Sequence, residues 1–119
     1  MQAGLPFRDT PDQLLVLLIH VLTTRHQGRT HGINASHLAA QTGISERSLR
    51  KLISDAREQG VAVVGTPETG YYVAETAEEL EECCHFLRSR ALHSLMLEAR
   101  MRKITLPTLL GQLNLNSHF

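Results

Sequence analysis

Three cations stand close together near the middle of this chain. Arg47, Arg50 and Lys51 are interleaved with the hydroxyls of Ser45, Ser48 and Ser54. A guanidinium can donate two parallel hydrogen bonds to neighbouring acceptors, such as those guanine presents in the major groove. Ammonium and hydroxyl groups hold phosphate oxygens. The chemistry open to such a cluster is recognition of a polyanion, with no bond made or broken. Other reactive residues are poorly arranged for catalysis. The histidines (His20, His26, His31, His37, His85, His93 and His118) are scattered, and Cys83-Cys84-His85 is contiguous. Zinc-binding cysteines stand about two to four residues apart. On one helix, Cys83 and His85 would point about 200° apart and could not form a nucleophile pair. There is no glycine-rich phosphate loop and no Gly-x-Ser-x-Gly. No enzyme, metal or cofactor is expected.

A helix over residues 45–59 must present the cations. On a helical wheel Leu49, Leu52, Ile53 and Ala56 share one face, Arg47, Lys51 and Ser54 the other, and Arg50 and Ser48 flank them. Ser45 is its cap, Ile44 and Leu49 suit a hydrophobic staple, and Gly60 is its stop. Thr42-Gly43-Ile44-Ser45 forms a tight turn behind a short helix over 35–41, capped by Asn34, with Leu38 and Ala39 facing inward. Earlier, Thr10, Pro11 and Gln13 open a helix running to about residue 26, ahead of Gly28. Its apolar surface extends nearly all round, which predicts burial on several sides. Residues 1–9 read as an arm, 29–32 as a polar connection, and Ile33 as a very short strand. Arg25 and Arg29 would add phosphate contacts beside the helix pair. After Gly60 come a strand over 61–64, a turn over 65–70 and a returning strand over 71–73. The turn carries Glu68 and no Lys or Arg, so it would brace the fold more than grip phosphate. Of Tyr71 and Tyr72, one should be core and the other partly exposed.

The order helix, helix, turn, helix, hairpin, with the run Ile44-Ser-Glu-Arg-Ser-Leu-Arg-Lys-Leu-Ile-Ser-Asp-Ala-Arg-Glu-Gln-Gly-Val61 and Gly70-Tyr-Tyr-Val73, resembles the winged helix-turn-helix domains of bacterial repressors. It is most similar to the biotin-repressor-like and deoxyribonucleoside-repressor-like domains. These share an Ile-Ser-x-Arg-Thr-Val opening, a Gly-Val leaving the recognition helix and a Gly-Tyr closing the wing. The resemblance covers about residues 13–73. It implies an α+β, mostly α fold that binds duplex DNA through helix 45–59 and regulates transcription. No sensor or enzymatic domain follows the wing, so no small-molecule ligand is expected. A compact winged helix ending in one long helix resembles small phage or mobile-element proteins.

Three regions follow: the winged helix-turn-helix with its arm over 1–74, a long helix over 75–105, and a Leu/Asn-rich tail over 106–119. Thr76 and Glu79 suggest a capping box. Acid gathers at the start of the long helix (Glu75, Glu78, Glu79, Glu81, Glu82) and base in its second half (Arg88, Arg90, Arg100, Arg102, Lys103), in keeping with the helix dipole. Leu80, Cys84, Leu87, Ala91 and Leu95 form a seam that widens to Leu92, Met96, Leu97 and Met101. One small domain can hardly cover such a helix, so a homodimer is expected, as suits two DNA half-sites. The alternative is that the tail folds back through Leu106, Leu109, Leu110 and Leu113. Pro107 should limit continuation of the helix. Gln112-Leu113-Asn114-Leu115 resembles the bacterial sliding-clamp-binding peptide Gln-Leu-x-Leu-Phe, with Asn116 where that peptide has Phe and Phe119 too late to match simply. That resemblance implies a phage or plasmid replication accessory that binds DNA and the clamp.

At 119 residues the chain has room for one modest core. Its 12 basic and 12 acidic residues cancel. That neutrality and the acidic turn favour a third class, a protein-interaction module on the same scaffold. The longest apolar run, residues 14–19, is far short of the roughly 20 needed to span a bilayer. Asp9 and Asp12 stand where a signal peptide carries positive charge. With adjacent cysteines ill-placed to pair, a reduced bacterial cytoplasm or nucleoid is the expected location.

Overall fold

A computed structural model describes residues 10–115. The expected arm over 1–9, and Asn116, His118 and Phe119 at the other end, lie outside the described residues. The chain divides at Cys83/Cys84 into two compact units.

The first unit opens with α1 (Pro11–Arg25). The Thr10 hydroxyl accepts the Gln13 amide at 3.2 Å and donates to Gln13 Oε1 at 2.7 Å, closing the first turn. Leu15, Leu18, Val21 and Leu22 form one buried stripe. The expected burial on several sides is not found: Val16 is 67% and Leu17 38% exposed. The short elements packed on α1 cover one face, and the rest of its apolar surface meets water. A single 3₁₀ turn (Arg29–His31) leads to α2 (Ala35–Thr42), capped by the Asn34 side-chain oxygen Oδ1, which accepts from the His37 amide. Gly43 closes α2 with a left-handed φ of 75°. Ser45 accepts the Ser48 amide at 3.2 Å and starts α3 (Glu46–Glu58). Leu38, Ile44, Leu49, Leu52, Ile53 and Ala56 join the α1 stripe, Val63 and Val73 in one core.

Two strands follow, β1 (Val63–Thr66) and β2 (Gly70–Val73), antiparallel with Val64 opposite Tyr72 and Gly65 opposite Tyr71. The first begins two residues later than expected, because the Val61 amide is taken by the Ala56 carbonyl at 3.0 Å in closing α3. Gly60 supplies the left-handed residue of that closure, with φ 89°. The turn shrinks to 67–69 and is tied by the hydroxyls of Thr66 and Thr69 at 2.7 Å. The other edge of β2 is held by the α1–α2 connection: Ile33 and Tyr71 exchange both backbone bonds, and Gly28 donates to the Val73 carbonyl. The short strand at Ile33 is thus a single bridge. Tyr72 is 1% exposed and Tyr71 half-buried.

The helix α4 (Ala77–Arg102) starts in the first unit. Thr76 accepts the Glu79 amide at 3.1 Å. The capping arrangement is wider than expected, since the Glu79 carboxylate takes the amides of Glu75 at 2.9 Å and Arg29 at 3.1 Å. Cys83 is buried with Val64 and Tyr72, and its thiol donates to the Val63 carbonyl at 3.6 Å.

The second unit holds the rest of α4 and α5 (Leu106–Gln112). Lys103, at φ 59°, ends α4, with the Ile104 amide returning to the Ala99 carbonyl and the Lys103 amide to that of Arg100. Pro107 lies beyond the end of α4, and a second helix forms around it. It sits in the first turn of α5, where a missing amide costs nothing, behind a Thr105 cap on the Thr108 amide. The tail is therefore helical over much of its length. Asn114, at φ 58°, closes α5 as Lys103 closes α4. Ala99 and Leu109 are buried in this unit, Leu92 and Leu95 are half-buried, and Leu87, Met96, Leu97 and Met101 remain exposed.

Candidate nucleic-acid interface

The candidate interface is α3. Its apolar residues Leu49, Leu52, Ile53 and Ala56 are buried, which turns Arg47, Lys51 and Ser54 away from the core, all exposed. Arg50, Ser45 and Ser48 are exposed beside them. The left-handed turn at Gly43 and the Ser45 cap set where the helix starts, and its N-terminal half carries the cations.

The basic residues differ in what else they touch. Arg47 and Arg50 have no hydrogen bond or ion pair within the chain among the described residues, so their guanidinium forks are open. Lys51 reaches both oxygens of Asp55 at 3.2 Å, an exposed pair one helical turn apart. Such a pair is worth little in water, so Lys51 can exchange it for phosphate. Arg57 serves the fold: its Nε donates to the Val63 carbonyl at 2.9 Å and fastens the end of α3 to β1. Arg25 is exposed in the last turn of α1.

Arg29, expected beside Arg25 as a phosphate contact, is engaged elsewhere. Its guanidinium pairs with Glu82 beside the Tyr72 hydroxyl, and its amide donates to Glu79. The Tyr72 hydroxyl and then the Glu82 carboxylate hold the guanidinium above its already high ordinary pKa. Glu79 is pulled below the usual carboxylate range by the amides of Glu75 and Arg29. Arg29 therefore braces the start of α4 against the 3₁₀ turn.

Sequence reasoning missed two further supports. His26 caps α1 with Nδ1 2.8 Å from the His31 carbonyl and Nε2 2.8 Å from Gln41 Oε1, so one ring joins the end of α1, the 3₁₀ turn and the end of α2. No spacing rule points to it. Lys51 and Asp55, by contrast, stand at the i,i+4 spacing that flags a helical ion pair. The wing offers no cation: Pro67 and Glu68 are exposed at its tip.

Gln112 is the last residue of α5, Leu113 caps it in helical conformation, and the Leu115 amide returns to the Leu110 carbonyl at 2.8 Å. The clamp-like tetrapeptide is thus folded into a helix end. Among the described residues no three His, Cys, Asp or Glu side chains gather as metal ligands, and no helix is long and apolar enough to cross a membrane.

Residues 18–72 match the family model described as an HTH domain, the helix-turn-helix class. No curated protein and no solved structure matches the chain.

Proposed function

We propose that the helix-turn-helix domain over 18–72 docks α3 in the major groove of duplex DNA, and that the chain regulates transcription as a homodimer joined through its C-terminal helix. The observation that carries this reading is the pair of open guanidinium groups, Arg47 and Arg50, on the solvent face of a capped helix directly behind the Gly43 turn. In this reading they contact base edges, Lys51, Ser45, Ser48 and Ser54 support them on phosphate and base, and Arg25 holds phosphate beside the pair. The protein is of the bacterial repressor type, acts in the cytoplasm or nucleoid, and is of phage or mobile-element kind.

The test is fluorescence anisotropy against random duplex DNA across a salt series, for the wild type and for Arg47→Ala/Arg50→Ala/Lys51→Ala. Wild-type binding should fall steeply with salt, and the variant should lose both affinity and slope. Absence of binding by the wild type at low salt would refute it. That outcome would favour a protein-interaction module instead, which the exposed carboxylate of Glu68 at the wing tip suits. The replication-accessory reading needs Gln112, Leu113 and Leu115 to leave the helix end they close, and draws no support from that geometry.

A further inference from the structure

Of the nine large apolar residues most open to solvent among those described, seven lie beyond residue 79. On α4 four of the six follow a line, with Phe86 and Met96 off it. Leu80, Leu87 and Met101 recur in heptad phase with Ser94 between them, and Leu97 falls at the intermediate position. Leu92, Leu95 and Ala99, buried or half-buried, point well away from that line. The expected seam is therefore rotated: it keeps Leu80 and Leu87, gives up Leu95, and, of the wider surface expected, takes Leu97 and Met101 and leaves Leu92 and Met96.

Charge is segregated along the same helix. Residues 75–87 hold Glu75, Glu78, Glu79, Glu81 and Glu82 and no Lys or Arg, whereas 88–103 hold Arg88, Arg90, Arg100, Arg102, Lys103 and one acid, Glu98. Glu79 and Glu82 are used by Arg29, Glu98 by Arg102, and Arg90 lies over the Phe86 ring. The side chains of Glu78 and Glu81 at one end, and of Arg88, Arg100 and Lys103 at the other, have no hydrogen bond or ion pair among the described residues.

We propose that the occupant of the exposed line is the α4 of a second copy, packed antiparallel. This rests on the homodimeric reading above and gives it an orientation. A parallel pair would set five carboxylates beside five and the cations beside cations, while an antiparallel pair sets each acidic half against a basic one. Apolar contact supplies the affinity and charge selects the direction. Aligning Leu80 with the partner's Met101 places the crossing between Arg90 and Ala91. Cys84 and Ala91 occupy the same heptad position, one turn of the repeat apart. Cys84 then lies opposite the partner's Leu97, about 20 Å along the axis from the partner's Cys84. Ala91 lies beside the partner's Ala91. A disulfide needs Cα atoms within about 7 Å.

Light scattering of the full chain, followed by mild oxidation and non-reducing electrophoresis, tests this. The wild type should be a dimer whose Cys84 thiols give no covalent dimer, while Ala91→Cys in a Cys84→Ser background should cross-link. Glu78→Lys/Glu81→Lys should weaken the dimer about tenfold. A Cys84–Cys84 covalent dimer overturns the orientation. A dimer in which neither position cross-links removes α4 from the interface. A monomeric wild type refutes the homodimer itself and leaves the anisotropy result to judge DNA binding separately.

Discussion

The carboxylate of Glu79 accepts the backbone amide of Arg29 at 3.1 Å, joining two segments 50 residues apart in sequence. The same carboxylate takes the Glu75 amide, and the Arg29 side chain returns to Glu82 and Tyr72. The winged helix thus holds the start of the C-terminal helix through backbone donors as well as paired charges.

Acid should loosen that hold. The folded pKa of Glu79 lies below its unfolded value, so the stability it contributes is present above the ordinary carboxylate range and is lost as pH falls through the folded pKa. Thermal melts of the wild type and Glu79→Gln should differ most near neutral pH and converge as pH falls below the ordinary carboxylate range. A gap independent of pH would show that the bonded carboxylate is not the cause.

Arg25 and Arg29 should separate cleanly. Arg25→Ala should weaken DNA binding and flatten its salt slope by about 1, with little effect on the melting temperature. Arg29→Ala should lower the melting temperature and leave the salt slope unchanged. Equal effects on DNA binding would mean that Arg29 leaves Glu82 and Tyr72 to reach phosphate.

Two glycines of the same hand should respond differently to a methyl group. At Gly43 a Cβ meets nothing within 4 Å, so Gly43→Ala should cost only the left-handed strain, about 1–2 kcal/mol. At Gly70 the added Cβ would lie 2.5 Å from the Ile33 carbonyl, so Gly70→Ala should cost about 2–4 kcal/mol. Chemical denaturation of both variants measures the difference. Equal losses would show that the Ile33–Tyr71 bridge yields easily.

Lys103 offers a gain. It sits at φ 59° where helices favour glycine. Lys103→Gly relieves left-handed strain and adds unfolded-state entropy, for a net stabilisation of about 0.5 kcal/mol. A melting temperature unchanged or lower than wild type would show that the lysine is held there by interactions of its own.

The first unit was largely legible in sequence because its signals are local. Thr10, Asn34 and Ser45 cap where they stand, Gly43 and Gly60 stop helices, and the wheel of α3 separates core from surface. What escaped depends on neighbours distant in sequence. The role of Arg29 was set by Glu82 and Tyr72, far along the chain, and a cation beside a helix pair reads as a phosphate ligand until that partner is seen. The exposure of Val16 and Leu17 depends on how little the short elements around α1 can cover. Pro107 was ambiguous for a different reason: the residue that ends one helix also suits the first turn of the next, and only the Thr105 cap settles which.

The bare wing tip limits the strength of a single domain's grip. With no cation on the hairpin and Arg29 engaged, the proposed complex leaves Arg25 and Lys51, among the described residues, to displace counterions from phosphate. Two such contacts give a logarithmic salt dependence of about −1.8, shallow for a regulator. A lone copy would dissociate readily at cellular ionic strength. In the proposed dimer, tethering two copies would raise the local concentration of the second once the first has landed, so stable occupancy would become a property of paired half-sites and not of any single one.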